Sequence, residues 1–474
     1  MVDLPQHAAL LTIWDKLDSP DYQRQFELNL HTPYLLSYFV AHGMAHFMSV
    51  TSALKVVIWL AVVGQVPALM FLCRQWGHDG WVALLGVPLA LGYCFLFGFV
   101  SYIVAVPFLF IALGLATKHA NGPMFVSGLL LALDLVALCF AHGVAFAQAV
   151  MCILPLLVLG KGAFVARMAP LFLTLAMAAF WFLPGPATTR MGSDLWGANV
   201  RRLIELPSQL VGAGSGDRFA TVYGLLLLAV VGQYCGRLSA DRAKLIPLLL
   251  VLVGLVAFPV SYRGYVLIGP RFGTLVLPAV LLACKPKVKI AKIARWGPHL
   301  LVTLLAAVGV AVFALRTVSF NNEAASFHEV AQRLPAGLRI RPVVFDPEPR
   351  AFPDLPALAH LPAYYFVEKG GMQGYSFAIY PTSVIRYRAG HSAKMKNGEE
   401  WRPLEFRVDE ELLDYDCFLV HSTPAYARAL FAPHSDALRL VAAKRDWFAY
   451  CSSQVVQRLP AIRSTTGSPA SLSP

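Results

Sequence analysis

Two groups of residues have the types and spacing to do chemistry. Near the N-terminus, "DLPQH" sets Asp3 just before Pro5, a residue suited to the first helical turn, with Gln6 and His7 on that turn. A carboxylate there is either a helix cap or, beneath a cavity, a general base that takes the proton of an attacking hydroxyl. Far along the chain, "SYRGYVLIGPRFG" sets Arg263 and Arg271 at the ends of adjacent apolar runs, with Tyr262 and Tyr265 between them. The fixed donor fork of a guanidinium matches phosphate oxygens; Tyr and Arg are also ordinary interfacial anchors. His142 in "CFAHGVAF" and Tyr102 in "GFVSYIVAV" stand at two further breaks in apolar sequence, each either structural or facing a site. Residues 184 to 218 add Arg190, Asp194, Trp196, Arg201 and Arg202, a set that could stack on sugar and neutralise phosphate, or simply be solvated. Asp134 lies inside an apolar run and calls for a polar partner on another helix.

The elements that must position these groups are membrane-like. Of 474 residues, 57% are hydrophobic and 14% charged, and the mean hydropathy is +0.60, outside the range of water-soluble globular chains. The net charge of +12 is concentrated in short loops such as "CGRLSADRAK" and "CKPKVKIAKIAR". Without interleaved aromatics to stack on bases these are topology signals, so no nucleic acid partner is expected. Six cysteines fall in or beside apolar runs without metal-ligand spacing, and no metal or other cofactor is expected. Cys417 and Cys451 lie in strand-like stretches and would be able to pair in an oxidising compartment.

About ten apolar runs follow, near 53 to 73, 81 to 97, 100 to 117, 123 to 140, 143 to 160, 164 to 183, 219 to 236, 245 to 261, 267 to 284 and 298 to 317. Lys and Arg at 237 to 244 and 285 to 295 orient them, since such residues gather on the cytoplasmic side. Counting alternately, the loops at 74 to 80, 118 to 122 and 161 to 167 fall inside. Those at 98 to 101, 141 to 143, 184 to 218 and 262 to 267 fall outside. Residues 4 to 17 read as a short helix of surface or interfacial structure. Residues 32 to 47 are either a short span or an interfacial helix, and parity selects the interfacial helix. The chain opens without a signal peptide, so this topology implies a further transmembrane helix upstream of Met1.

From 318 the hydropathy falls and helix-like and strand-like segments alternate, as in "RIRPVVFD" and "DYDCFLVH". The expected organisation is a polytopic α-helical membrane protein. An external loop with interfacial helices at 1–52 precedes a transmembrane domain at 53–317; an extracytoplasmic α/β domain at 318–462 and a disordered tail at 463–474 follow.

This arrangement resembles the GT-C class of membrane glycosyltransferases, which includes the protein O-mannosyltransferases and the lipid A aminoarabinose transferases. Asp3 of "DLPQH" is similar to the acidic residue of their first external loop. "HTPYLLSYFVAHG" resembles the Pro-led interfacial helix before the second span, and Arg271 of "GPRF" a late basic residue facing carrier phosphate. The loop has no Asp-Glu or Asp-x-Asp pair, unlike metal-dependent relatives. The resemblance implies transfer of a sugar from a polyprenyl-phosphate carrier to a glycan, lipid or protein acceptor at the outer face of a bacterial inner membrane. Asp3 would be the base and Arg271 the phosphate contact, with His7, Tyr102, His142 and Arg263 lining the site. The rival readings are a transporter or flippase and a non-catalytic envelope assembly protein.

Overall fold

The computed structural model describes residues 1–182, 199–214, 216–262, 265–286, 296–395 and 398–458. The chain divides into two compact units, the first holding Met1–Asn322, Pro347–Tyr364 and Ser376–Ala393, the second the remainder from Glu323. Two stretches of the C-terminal third therefore pack with the N-terminal helices. The tail at 463–474 lies outside the described residues.

The first unit is almost wholly helical. Each of the ten apolar runs becomes helix, but among the described residues five helical stretches are long and apolar enough to cross a membrane: Val50–Gln75, Gly80–Phe97, Val100–Asn121, Phe164–Phe182 and Trp296–Gln332. This corrects the expectation of about ten full spans. The physical reason is where the breaks fall. Phe125–Ala141 and Gly143–Val158 stop against each other at His142 and have 17 and 16 residues. At 1.5 Å per residue each is about 25 Å long, short of the roughly 30 Å of hydrocarbon in a bilayer. Arg218–Tyr234 and Arg242–Ala257 are equally short.

The N-terminal helix also departs from expectation. Leu4–Asp15 is no surface helix: Ala8, Ala9, Leu10, Leu11 and Ile13 are all buried. "AALLTI" offers no polar face to solvate, so residues 8 to 13 are buried, while His7 and Trp14 are half-buried. Leu35–Ala45 packs beside it and is too short to cross a bilayer.

Loops meet in two groups. Cys235–Leu238 pairs antiparallel with Cys284–Pro286, and the His78 ring bonds the Leu281 carbonyl at 2.7 Å, which joins the loops near 78, 238 and 284. The breaks at 98 to 101, 142 and 269 to 272 converge elsewhere, around a cavity that Asp3 also lines. Closing that end is a returning segment in which Ile385–Tyr387 pairs antiparallel with Phe26–Leu28. Arg386 bonds Glu27 directly across the ladder at 2.6 Å, and Asn29 donates to the Pro381 and Ser383 carbonyls.

The second unit is built on a five-stranded mixed sheet, in the order Leu438–Lys444, Trp447–Ser452, Cys417–His421, Arg339–Val344, Met372–Gln373. The last two pairings are parallel and the first two antiparallel. Cys417 and Cys451 face each other in register on neighbouring strands and form a disulfide closing 34 residues of sequence. Removing this link with Cys417→Ser and Cys451→Ser should destabilise the second unit by about 4 kcal/mol, the loop-closure entropy of a link this long. Thermal unfolding of the purified protein with and without reductant checks this, and an unchanged midpoint would contradict it.

Candidate functional site

Five of the six residues singled out from sequence, Asp3, His7, Tyr102, His142 and Arg271, line one cavity of about 150 Å³ in the first unit. The sixth, Arg263, lies outside the described residues, as do Arg190, Asp194 and Trp196. Arg201 and Arg202 do not line the cavity. Arg201 pairs with Glu205 on its own helix, and Arg202 is buried, donating to the Leu255 and Phe258 carbonyls at 3.0 and 2.7 Å.

Asp3 stands at the N-cap position of Leu4–Asp15, yet its side chain caps no amide. Its carboxylate instead meets His360 Nδ1 at 3.1 Å. The backbone that carries it is pinned, since Val2 N–H donates to the Leu96 carbonyl and Asp3 N–H to the Phe97 carbonyl. Gly98 makes this approach possible. It has φ +83°, and a Cβ there would lie 2.8 Å from the Asp3 nitrogen, so both conformation and space demand glycine.

His7, one turn on, is only partly buried because its ring borders the cavity. Its Nδ1 lies 2.5 Å from the Tyr38 hydroxyl, and the ring also hydrogen-bonds the Gly98 backbone. Gly98 N–H is committed to the Phe95 carbonyl, so the Gly98 carbonyl receives a proton from His7, and Nδ1 accepts from Tyr38. Burial pushes the imidazole down to about 4, against the raising effect of Asp3, and pushes the Tyr38 phenol up. Both side chains are therefore neutral at pH 7.

Arg271 sits in the single 3-10 turn Gly269–Phe272 that "GPRF" forms with Pro270 leading. Its carbonyl lies 2.8 Å from the Tyr102 hydroxyl, which is also 2.9 Å from Gln148 Oε1. Its guanidinium lies over the Phe99 ring, 4.3 Å from the centroid, and is buried. Behind the turn, a Cβ on Gly269 would lie 2.0 Å from Arg202 Nη1, so the buried Arg202 fills the space that a side chain would need. Among the described residues Arg271 forms no ion pair, and its Nε has no hydrogen-bond partner.

His142 caps the helix Gly143–Val158, its Nδ1 accepting from Val144 N–H at 3.1 Å and Ala145 N–H at 3.3 Å. Its Nε2 lies 2.9 Å from Arg271 Nη1. A neutral imidazole has one lone-pair nitrogen. While Nδ1 caps the helix, Nε2 carries the proton, and two donors face one another at the cavity wall.

Around these polar groups the wall is aromatic: Tyr34, Tyr38, Phe99, Phe377 and Tyr380. Phe377 stands edge-on to both His7 and His360. Sequence reasoning passed over His360, Phe377 and Tyr380 because they belong to a segment read as part of a separate domain. Gly98 fell within the loop at 98 to 101 and carried no signal of its own.

No protein-family model matches the chain, and neither a curated protein nor a solved structure does. The geometry alone must carry the functional reading.

Two measurements probe this arrangement. Gly98→Ala should cost about 1–2 kcal/mol of stability, through the left-handed backbone and the clash with Asp3, while Gly122→Ala, with extended backbone and open space around its Cβ, serves as the control; thermal unfolding in detergent reads both. His7 has its pKa lowered on folding, so its contribution is complete above pH 6.5 and is lost as pH falls towards 4, where the unfolded chain takes up a proton that the folded chain refuses. Allowing for water screening in the cavity, the loss across that window is about 2 kcal/mol. His7→Asn should flatten the stability curve there by that amount, and an unchanged slope would refute the assignment.

Proposed function

We propose that this chain is a membrane glycosyltransferase that moves a sugar from a polyprenyl-phosphate carrier to an acceptor hydroxyl or amine. The observation that carries this reading is Arg271, a buried guanidinium with no ion pair among the described residues, on a cavity that also holds a carboxylate not used as a helix cap. An unpaired buried cation is costly, and a ligand anion offsets that cost. While the His142 lone pair caps its helix, Arg271 and His142 are facing donors that call for the same thing, an oxygen able to accept from both.

In the reaction, Asp3 takes the proton of the acceptor as its oxygen or nitrogen forms a bond to the anomeric carbon. The bond from that carbon to the carrier phosphate breaks, its electron pair leaving with the phosphate, and Arg271 offsets the charge that develops there. His360 holds the Asp3 carboxylate, and Tyr102 holds the backbone of Arg271. A volume of about 150 Å³ suits a single six-membered ring. The five long apolar helices suit a lipid-linked donor, and the Cys417–Cys451 disulfide fits a second unit in an oxidising compartment, hence an outer-face orientation. Arg263 is assigned to the same phosphate from its sequence position alone.

Purified protein in lipid nanodiscs, given radiolabelled polyprenyl-phosphate sugars and a membrane extract as acceptor, tests the proposal. Asp3→Asn should lower kcat by about 10²–10⁴-fold with little change in donor KM, the effect of removing a general base. Arg271→Met should weaken both donor binding and turnover. Transfer that survives Asp3→Asn undiminished rules out Asp3 as the base, whereas no transfer by the unaltered protein above empty nanodiscs overturns the enzyme reading and leaves a transporter or an assembly protein.

A further inference from the structure

The second unit holds a larger opening that the proposed reaction does not use. Its two central strands, Arg339–Val344 and Cys417–His421, run parallel and end at the same edge of the sheet. The residues that follow them, Phe345–Asp346 and Ser422–Thr423, border a groove of about 680 Å³. The carboxyl edge of parallel strands is where open α/β sheets hold ligands, because the chains leaving it diverge. Here that edge is fixed, with Phe345 N–H donating to the His421 carbonyl at 2.9 Å and the His421 ring bonding the Asp346 carbonyl at 2.7 Å.

The rest of the lining narrows the ligand. Trp401 and Tyr426 border the groove and are 46% and 44% exposed, large areas for aromatic side chains outside an interface. The Tyr426 ring is steadied edge-on against Phe345 with centroids 4.7 Å apart. The cation in the lining, Arg402, is tied to Glu405 at 3.0 Å. The Asp346 carboxylate is exposed and has no hydrogen bond or ion pair among the described residues. An anionic ligand would meet this carboxylate with the cation already neutralised. A wholly apolar ligand would strip water from it with nothing in return. A neutral ring with C–H faces for the aromatics and hydroxyls to donate to Asp346 satisfies both the two aromatic faces and the carboxylate.

We infer that this groove binds a neutral oligosaccharide, with Trp401 and Tyr426 stacking on its sugar rings and Asp346 accepting from its hydroxyls. The inference rests on the second unit alone and stands or falls separately from the transfer reaction.

Saturation-transfer difference NMR on the full chain in nanodiscs tests it, with four neutral tetrasaccharides as probes: β-1,4-glucan, α-1,4-glucan, β-1,4-linked N-acetylglucosamine and α-1,6-mannan. At least one should show saturation of its ring C–H protons. Trp401→Ala and Asp346→Asn should each weaken that binding at least tenfold, with the disulfide and the circular dichroism spectrum retained as controls of folding. Tetragalacturonate and spermidine serve as charged probes. Absence of saturation for all four neutral sugars, binding untouched by both substitutions, or binding of a charged probe alone would each overturn the inference.

Discussion

The first unit is organised around one electrostatic problem, a buried guanidinium on an aromatic cavity with no ion pair among the described residues. Taking such a charge out of water costs several kcal/mol, and the surroundings of Arg271 offset only part of this. The π-face of Phe99 contributes about 1–2 kcal/mol when desolvated, and its quadrupole is no substitute for a counter-ion. The other neighbours fix position and leave the charge uncompensated. Tyr102 bonds the carbonyl of Arg271, while Arg202 fills the space behind Gly269 and bonds two carbonyls of the preceding helix end. A second arginine is thus used as a strut so that the first can be aimed.

The carboxylate side is built by backbone. Two amides of the N-terminal segment donate to the turn at 96 to 97, and Gly98 lets that segment come within van der Waals distance. The chain then returns more than 350 positions later to cover the same cavity, stitched to residues 23 to 32 by a short antiparallel ladder and by side-chain bonds from Asn29 and Arg388. The polar groups of the cavity are therefore set on buried helix ends and paired backbone, the kind of support that holds a reacting geometry within narrow limits.

How much of this was legible follows from the range of each signal. Charge asymmetry and hydropathy are local, and they placed the apolar runs and grouped the breaks at 100, 142 and 270 with Asp3. Helix length was less legible because it depends on where each break ends a hydrogen-bond ladder; His142 ends one helix and caps the next, and so shortens both. Leu10, Leu11 and Ile13 read as surface or interfacial and are buried in the fold, because "AALLTI" is too short to distinguish an interfacial helix from a core one. His360 had no local signal at all, since its meaning lies in a contact with Asp3 across 357 positions. The disulfide had an intermediate status: the two cysteines were visible, and only the pairing of the strand Trp447–Ser452 with Cys417–His421 set them opposite one another.

His142 links the helix scaffold to the charge. Its ring can accept at one nitrogen, and two demands compete for that lone pair, the amides of Gly143–Val158 and the guanidinium of Arg271. If the ring turns its lone pair to Arg271, the Val144 and Ala145 amides lose their cap, worth about 1 kcal/mol. If it keeps the cap, Nε2–H opposes a charged donor at close range. An anionic oxygen ends the competition by accepting from both donors at once, leaving Nδ1 on the helix. Ligand binding would therefore strengthen the cap of a helix more than twenty ångströms long, and the occupied site would be more rigid than the empty one.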